Sequence, residues 1–243
     1  IIPIVLLDGF SVLKTINFNQ RRNLGSPITV ARTYNTRNVD ELVLLDIDAT
    51  KQKRSIDKFT IAEVARECFM PLTVGGGIKT IKEIQGLLAK GADKISINSY
   101  ALENPNFIKE SSDVFGSQCI VVSIDVVEEN GQFYIYNQGN INKNLQLIDW
   151  VKTAERLGAG ELMINNVTRD GLMQGASTEL ATLVSNAVSI PVIYVGGISD
   201  PDDAVLIAKT NVSGIGIASI FHFTDFTPQD CSNRLKLADI PAR

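Results

Sequence analysis

Short, almost wholly apolar runs recur along the chain, at residues 1–7, 41–47, 71–74, 94–97, 119–125, 161–165, 191–195 and 214–217. Runs of this length without polar alternation are the pattern of parallel strands covered on both faces. Between them the apolar positions switch to helical spacing: Ile61, Val64, Ala65 and Cys68; Ile81, Ile84, Leu87 and Leu88; Leu147, Ile148, Val151 and Ala154; Leu180, Leu183, Val184 and Ala187. Ser26-Pro27 reads as a helix start, a capping hydroxyl followed by proline at the first helical position. Gly91 and Gly158 each close a helix ahead of the next strand. Eight strands in strict alternation with helices predict an α/β fold, a single closed (β/α)8 TIM barrel spanning residues 1–243; an open doubly wound sheet is the alternative.

One segment departs from the alternation. Residues 128–138 carry Asn130-Gly131 between Val126-Val127 and Phe133-Tyr134-Ile135-Tyr136, the pattern of a β-hairpin, placed after the fifth strand. The chain also repeats itself. Glu41-Leu42-Val43-Leu44 corresponds to Glu161-Leu162-Met163-Ile164, Thr73-Val74-Gly75-Gly76-Gly77-Ile78 to Ile193-Tyr194-Val195-Gly196-Gly197-Ile198, and Lys94-Ile95-Ser96-Ile97-Asn98-Ser99 to Gly214-Ile215-Gly216-Ile217-Ala218-Ser219. All three pairs share an offset of 120 residues, which predicts a barrel of two similar halves with four strands each.

Composition narrows the function classes. A net charge of −4 and a charged fraction of 21% offer no basic footprint for nucleic acid. The apolar start is too short to span a membrane and lacks the flanks of a signal peptide. The absence of a leading methionine suggests that a few residues precede Ile1. Cys68, Cys119 and Cys231 are scattered without metal-ligand spacing, the usage of reduced thiols in a cytoplasmic protein. His222 is the only histidine, which argues against a catalytic triad or a multi-histidine metal site; we expect it to pack near the eighth strand. Dinucleotide and P-loop fingerprints are missing, so no cofactor and no metal are expected.

The candidate chemistry collects where strands end. Gly75-Gly76-Gly77 and Gly196-Gly197 each follow a strand, and Asn98-Ser99 and Ala218-Ser219 each end the next one. Glycine turns with exposed backbone amides can cradle a phosphate. One such pair in each half implies two sites on opposite sides of one mouth, hence a long substrate with a phosphate at each end. The alternative is that these glycines only make tight turns. Asp125 ends the fifth strand, where a carboxylate enters the mouth of a barrel as an acid or base, and Lys14 lies within reach of the same space. Asp46 and Asp170 also end or follow strands; for each, a structural ion pair competes with a catalytic role. Glu41, Lys94 and Glu161 start strands at the opposite end and read as a salt-bridge cluster closing the base.

Taken together, Asp40-Glu41-Leu42-Val43-Leu44-Leu45-Asp46-Ile47, Pro71-Leu72-Thr73-Val74-Gly75-Gly76-Gly77-Ile78, Gly91-Ala92-Asp93-Lys94-Ile95-Ser96-Ile97-Asn98, Phe115-Gly116-Ser117-Gln118-Cys119, Arg169-Asp170-Gly171 and Ser219-Ile220-Phe221-His222-Phe223 resemble the cyclase subunit of imidazole glycerol phosphate synthase. The resemblance runs from Ile1 to about Phe223. It implies a half-barrel duplication and a glutamine amidotransferase (glutaminase) partner. Ammonia from that partner would pass through the barrel and close an imidazole ring on a ribulosyl substrate with two phosphates. Imidazole glycerol phosphate and an aminoimidazole carboxamide ribotide would be released. The resemblance implies that Asp125 is one of two catalytic aspartates and Lys14 an active-site lysine. It assigns Gly77, Asn98 and Ser99 to one phosphate, and Asp170, Gly171, Gly197, Ala218 and Ser219 to the other. It makes Glu41, Lys94 and Glu161 three members of a charged ammonia gate, whose fourth, an arginine, would precede Ile1.

The chain departs from that family at informative places. Its first strand reads Ile4-Val5-Leu6-Leu7, with Leu6 where the other catalytic aspartate is expected and Asp8 two residues later. Residues 137–144 lack the usual glycine pair and Thr-Gly, Asn165 and Val195 replace small hydroxyl residues, and Asp48 stands in Asp46-Ile47-Asp48-Ala49-Thr50 for a threonine. The Leu6-Leu7 first strand followed by Asp46-Ile47-Asp48-Ala49-Thr50 resembles a paralogous branch associated with surface polysaccharide, whose members are expected to form acetamidino or related nitrogen groups on sugars. Three functions therefore compete: a cyclase of histidine biosynthesis, the sugar-modifying paralogue, and a non-catalytic barrel that activates a glutaminase.

Overall fold

The computed structural model describes residues 1–16, 20–37 and 39–242. The first part of the chain runs β1 (Ile2–Leu7), β2 (Val12–Ile16), β3 (Gln20–Gly25), α1 (Pro27–Thr36), β4 (Leu42–Asp46), α2 (Lys58–Ala65), β5 (Leu72–Gly75), α3 (Ile81–Leu88), β6 (Lys94–Ile97), α4 (Ser99–Glu103) and α5 (Asn106–Phe115). The second runs β7 (Ile120–Glu129), β8 (Gln132–Asn137), β9 (Asn140–Gln146), α6 (Leu147–Arg156), β10 (Glu161–Asn166), α7 (Thr178–Ser185), β11 (Val192–Val195), α8 (Pro201–Ala208), β12 (Gly214–Ile217), α9 (Ile220–Phe223) and α10 (Pro228–Leu237). Eight of the strands pair in parallel in the order β1-β4-β5-β6-β7-β10-β11-β12, and β12 returns to β1, so the sheet closes into the expected (β/α)8 barrel.

Side-chain parity divides the apolar residues into two cores. Ile2, Ile4, Leu6, Val43, Val121, Met163, Ile193 and Val195 fill the barrel interior together with Leu13 of β2. Their strand neighbours, among them Val5, Leu7, Leu42, Leu44, Val122, Ile124 and Tyr194, are buried outward under the helices. Both faces are dry, which is why these strands read as continuous apolar runs. The helices carry their own start signals. Asp57 accepts from the Thr60 amide, Thr80 with Glu83 and Thr227 with Asp230 form capping boxes, and Asp200 precedes Pro201. Ser26 does precede Pro27 at the start of α1, but its side chain makes no capping hydrogen bond, so proline rather than the hydroxyl sets that start.

The 120-residue repeat is a structural one. Leu45 pairs with Gly75 as Asn165 pairs with Val195, and Thr73 with Lys94 as Ile193 with Gly214. Leu6 pairs with Leu45 as Asp125 pairs with Asn165, which makes Leu6 and Asp125 equivalent positions in the two halves. The repeat extends to an element that the apolar pattern did not show. After the fifth barrel strand, β7 and β8 form the expected antiparallel hairpin, turning at Asn130 (φ 52°) and Gly131 (φ 73°), and β9 extends it beyond the expected residues. After the first barrel strand, β2 and β3 make a matching excursion, with β2 antiparallel to both β1 and β3.

Candidate active site

The C-terminal ends of the barrel strands surround a cavity of about 310 Å³. Its lining includes apolar Ile4, Leu6, Leu45, Met163 and Val195 and, at β6–β7, polar Ser96, Asn98, Ser123 and Asp125. Lys14, Gly77, Ser99, Asn165 and Asp170 complete the groups already singled out from the sequence. A narrower cleft of about 20 Å³ lies between Asp170, Gly171, Gly196, Gly197, Ala218 and Ser219. The two sets therefore gather at strand ends: one at β5 and β6, the other at β11 and β12 with the loop after β10. In the closed strand order β5–β6 and β11–β12 lie across the barrel from one another.

Asp125 is the distinctive group of the cavity. Its Oδ2 accepts from Asn98 Nδ2 at 2.9 Å and its Oδ1 from Asn165 Nδ2 at 3.0 Å. Burial pushes its carboxyl up to about 6; the two amides oppose the rise, and the charge of Asp170 adds to it. Lys14 reaches the site from β2. It is buried and donates to Asp170 at 3.2 Å, joining residues 156 apart in sequence. Asp46 is held in a bidentate pair by Arg54 and also accepts from the amides of Ala49 and Asp48, so the structural reading applies to it. Asp8 is exposed and accepts from the Ser11 amide in the β1–β2 turn, away from the cavity lining.

The glycines have a purely geometric requirement. Gly77 (φ 64°) and Gly197 (φ 87°) are left-handed, and a Cβ would come within 1.9 Å of the Arg54 carbonyl oxygen and 2.4 Å of the Gly175 carbonyl oxygen respectively. Tight turning therefore accounts for them, whatever their amides bind. His222, on α9, packs edge-on to Tyr34; burial, with Lys14 and Arg37, lowers its pKa to about 4. Among the described residues no three His, Cys, Asp or Glu side chains are placed to hold a metal, and no helix is long and apolar enough to cross a membrane.

At the other end of the barrel, Lys94 Nζ bridges Glu41 at 2.8 Å and Glu161 at 2.9 Å, and Glu41 also accepts from the Thr73 hydroxyl. Burial opposes the charge of Lys94, but its two carboxylate partners raise its pKa. Burial, reinforced by Glu41, raises the pKa of Glu161 against the attraction of Lys94. Two carboxylates thus share one ammonium.

Two features of the site lay outside the sequence reading. Arg21 of β3 lines the mouth and makes a bidentate pair with Asp48. Asn165 was noted as a replacement of a hydroxyl residue, but its contact with Asp125 follows only from the strand register.

The sequence profile of the family described as "Histidine biosynthesis protein" matches residues 1–227. Over 235 residues the chain is 46% identical to a Campylobacter jejuni protein named "Putative imidazole glycerol phosphate synthase subunit hisF2", covering 97% of this chain and 94% of that protein. It is 40% identical over 235 residues to the imidazole glycerol phosphate synthase subunit HisF of Petrotoga mobilis, covering 96% of this chain and 93% of that one. The HisF subunit of Lactococcus lactis subsp. lactis is 39% identical over 247 residues, which span all of this chain and 95% of the relative.

Proposed function

The chain belongs to the histidine biosynthesis protein family, and from that premise we propose that it is a lyase-type cyclase subunit that uses ammonia from a glutamine amidotransferase on a small molecule carrying two phosphates. The observation that carries the reading is the placement of Asp125. It lies in the mouth as a carboxylate without a cationic partner among the described residues, and the strand ends of β5–β6 and β11–β12 stand across the barrel from each other. Ser99 begins the short helix α4 and Ser219 precedes the short helix α9 at those two places, where backbone amides and a hydroxyl would suit a phosphate oxygen. Asp125 would move protons at the reacting centre, and Lys14, fixed by Asp170, would place a positive charge beside developing negative charge. The ring of Glu41, Lys94 and Glu161 sits at the strand starts, where the proposed partner would dock and pass ammonia through the barrel. Three unpaired cysteines fit a reducing, cytoplasmic setting.

One observation favours a second reading, the sugar-modifying paralogue. Leu6 occupies the half-barrel equivalent of Asp125 and forms an apolar wall with Leu45 and Val195. Turnover of the ribulosyl bisphosphate substrate with ammonium salt distinguishes the two. On the first reading the wild type is active, Asp125→Asn loses about 10²-fold or more, and Ser99→Ala or Ser219→Ala weakens binding in calorimetry. Activity that appears only on Leu6→Asp assigns the wild type to the second reading. Full activity in Asp125→Asn would sink both.

A further inference from the structure

Three carboxylates line the cavity, and two are neutralised: Asp46 by Arg54 and Asp170 by Lys14. Asp125 instead sits between two side-chain amides, Asn98 at 2.9 Å and Asn165 at 3.0 Å, both presenting Nδ2. The Oδ1 atoms of both amides are buried and accept no hydrogen bond. An amide differs from a lysine or an arginine in one respect that matters here. It has a donor end and an acceptor end, and a half-turn about its last bond exchanges them. A carboxylate calls for two donors; a carboxylic acid calls for one donor and one acceptor. Two amides can meet both demands, whereas a cation can meet only the first.

We propose that Asn165, with Asn98, is a positioning residue that keeps Asp125 usable in both protonation states, so that this one carboxyl both removes and returns the proton of the reaction. The inference rests on the reading above that Asp125 faces the reacting part of the substrate. In the first step a substrate X–H bond breaks, its electron pair stays on X, and an O–H bond forms on Asp125. One amide then turns its Oδ1 to the new hydroxyl while the other keeps its Nδ2 on the carbonyl oxygen. In the second step that O–H bond breaks, and the proton joins an electron pair on a later atom of the same substrate. One proton is taken and one returned, so no outside acid is consumed. The half-barrel equivalent position holds Leu6 and cannot share the work. The other charged or titratable groups among the described residues lining the cavity are Arg21, Asp46, Lys51, Lys79 and Tyr100, with Asp170 and Lys14, which pair with each other, and Tyr136 of β8, the strand-register partner of Asp125. β6 and β10 offer Asp125 the two amides.

The test is a carboxyl ¹³C titration of the whole protein labelled at aspartate, with the Asp125 signal assigned by its loss in Asp125→Asn. The wild type should titrate near pH 6. Asn165→Leu removes a donor to the charged form, and the midpoint should rise by about one to two pH units. The ascending limb of the ammonia-dependent rate should move with it. A residue that only packs would lower the melting temperature and leave the midpoint in place; an unchanged or lowered midpoint overturns the proposal. If Asn165→Leu does not fold, the wild type decides: the side-chain ¹⁵N signal of Asn165 or Asn98 should shift with the Asp125 midpoint. Two pH-insensitive amides would overturn the idea. Neither titration needs a substrate, so failure of the cradle is distinguishable from failure of the reaction assay.

Discussion

Asp125 shows how one residue sets function against stability. Its folded pKa is raised by burial to about 6, above the value an aspartate has in an unfolded chain. The folded state therefore holds this proton more tightly. The contribution is fully present below about pH 4 and is lost as the pH rises through about 6. At neutral pH the protein carries a desolvated charge for the sake of its site. Asp125→Asn removes that charge and keeps the shape. The variant should equal the wild type in stability near pH 4 and exceed it above pH 6, by an amount on the order of 1–3 kcal/mol. Urea unfolding at both pH values measures the difference; a variant less stable than wild type at pH 7 would show that the two asparagines stabilise the ion more than burial destabilises it.

At the scale of elements, the eight barrel strands were legible because burial on both faces leaves an unbroken apolar signature, and their predicted limits lie within a residue or two, apart from the C-terminal end of β7. The excursion after the fifth strand was legible at Asn130-Gly131, where both residues adopt φ above zero. Its continuation β9, Asn-Ile-Asn-Lys-Asn-Leu-Gln, is mostly exposed and polar and carries no periodic signal. The β2–β3 pair escaped for a related reason. β3 reads Gln-Arg-Arg-Asn-Leu-Gly, and β2 holds Lys14 and Thr15, polar residues buried by the site rather than by a core. Long-range pairs such as Lys14–Asp170 depend on closure of the barrel, so spacing along the chain cannot show them. The glycine pairs were found for their amides, yet close backbone approach is what demands glycine at Gly77 and Gly197.

The same hairpin makes a prediction at this scale. Arg21 of β3 grips Asp48 of the loop after β4 in two hydrogen bonds, and the pair lowers the pKa of Asp48. Arg21 is 40% exposed, which puts the pair in the range of surface ion pairs, about 0.2–1 kcal/mol. Asp48→Asn should therefore speed amide exchange in β2 and β3 by roughly 1.5- to 5-fold and leave the melting temperature nearly unchanged. An equal increase in β10, on the far side of the barrel, would mean that the variant loosens the whole protein rather than unlatching its hairpin.

For the whole molecule, the question is what joins two similar halves. Both ends of the barrel answer with polar ties across the join. At the mouth, Lys14 of the first half meets Asp170 of the second, and Asn98 meets Asp125. At the base, Lys94 and Glu41 of the first half meet Glu161 of the second. Among the described residues the base has one ammonium for two carboxylates, and burial with the charge of Glu41 raises the pKa of Glu161. The members should therefore differ sharply when removed. Lys94→Met strips both carboxylates of their cation and should cost about 3 kcal/mol or more. Glu161→Gln keeps a hydrogen-bond acceptor for Lys94 and relieves the repulsion from Glu41; it should be near neutral or slightly stabilising. Adding Glu161→Gln to Lys94→Met should then recover a large part of the loss, because one of the two stranded charges is gone. Denaturant midpoints of the two single variants and the double variant form the cycle that measures this coupling. Equal losses from Lys94→Met and Glu161→Gln would show that the ring acts as a balanced ion pair with no repulsion from Glu41 to relieve.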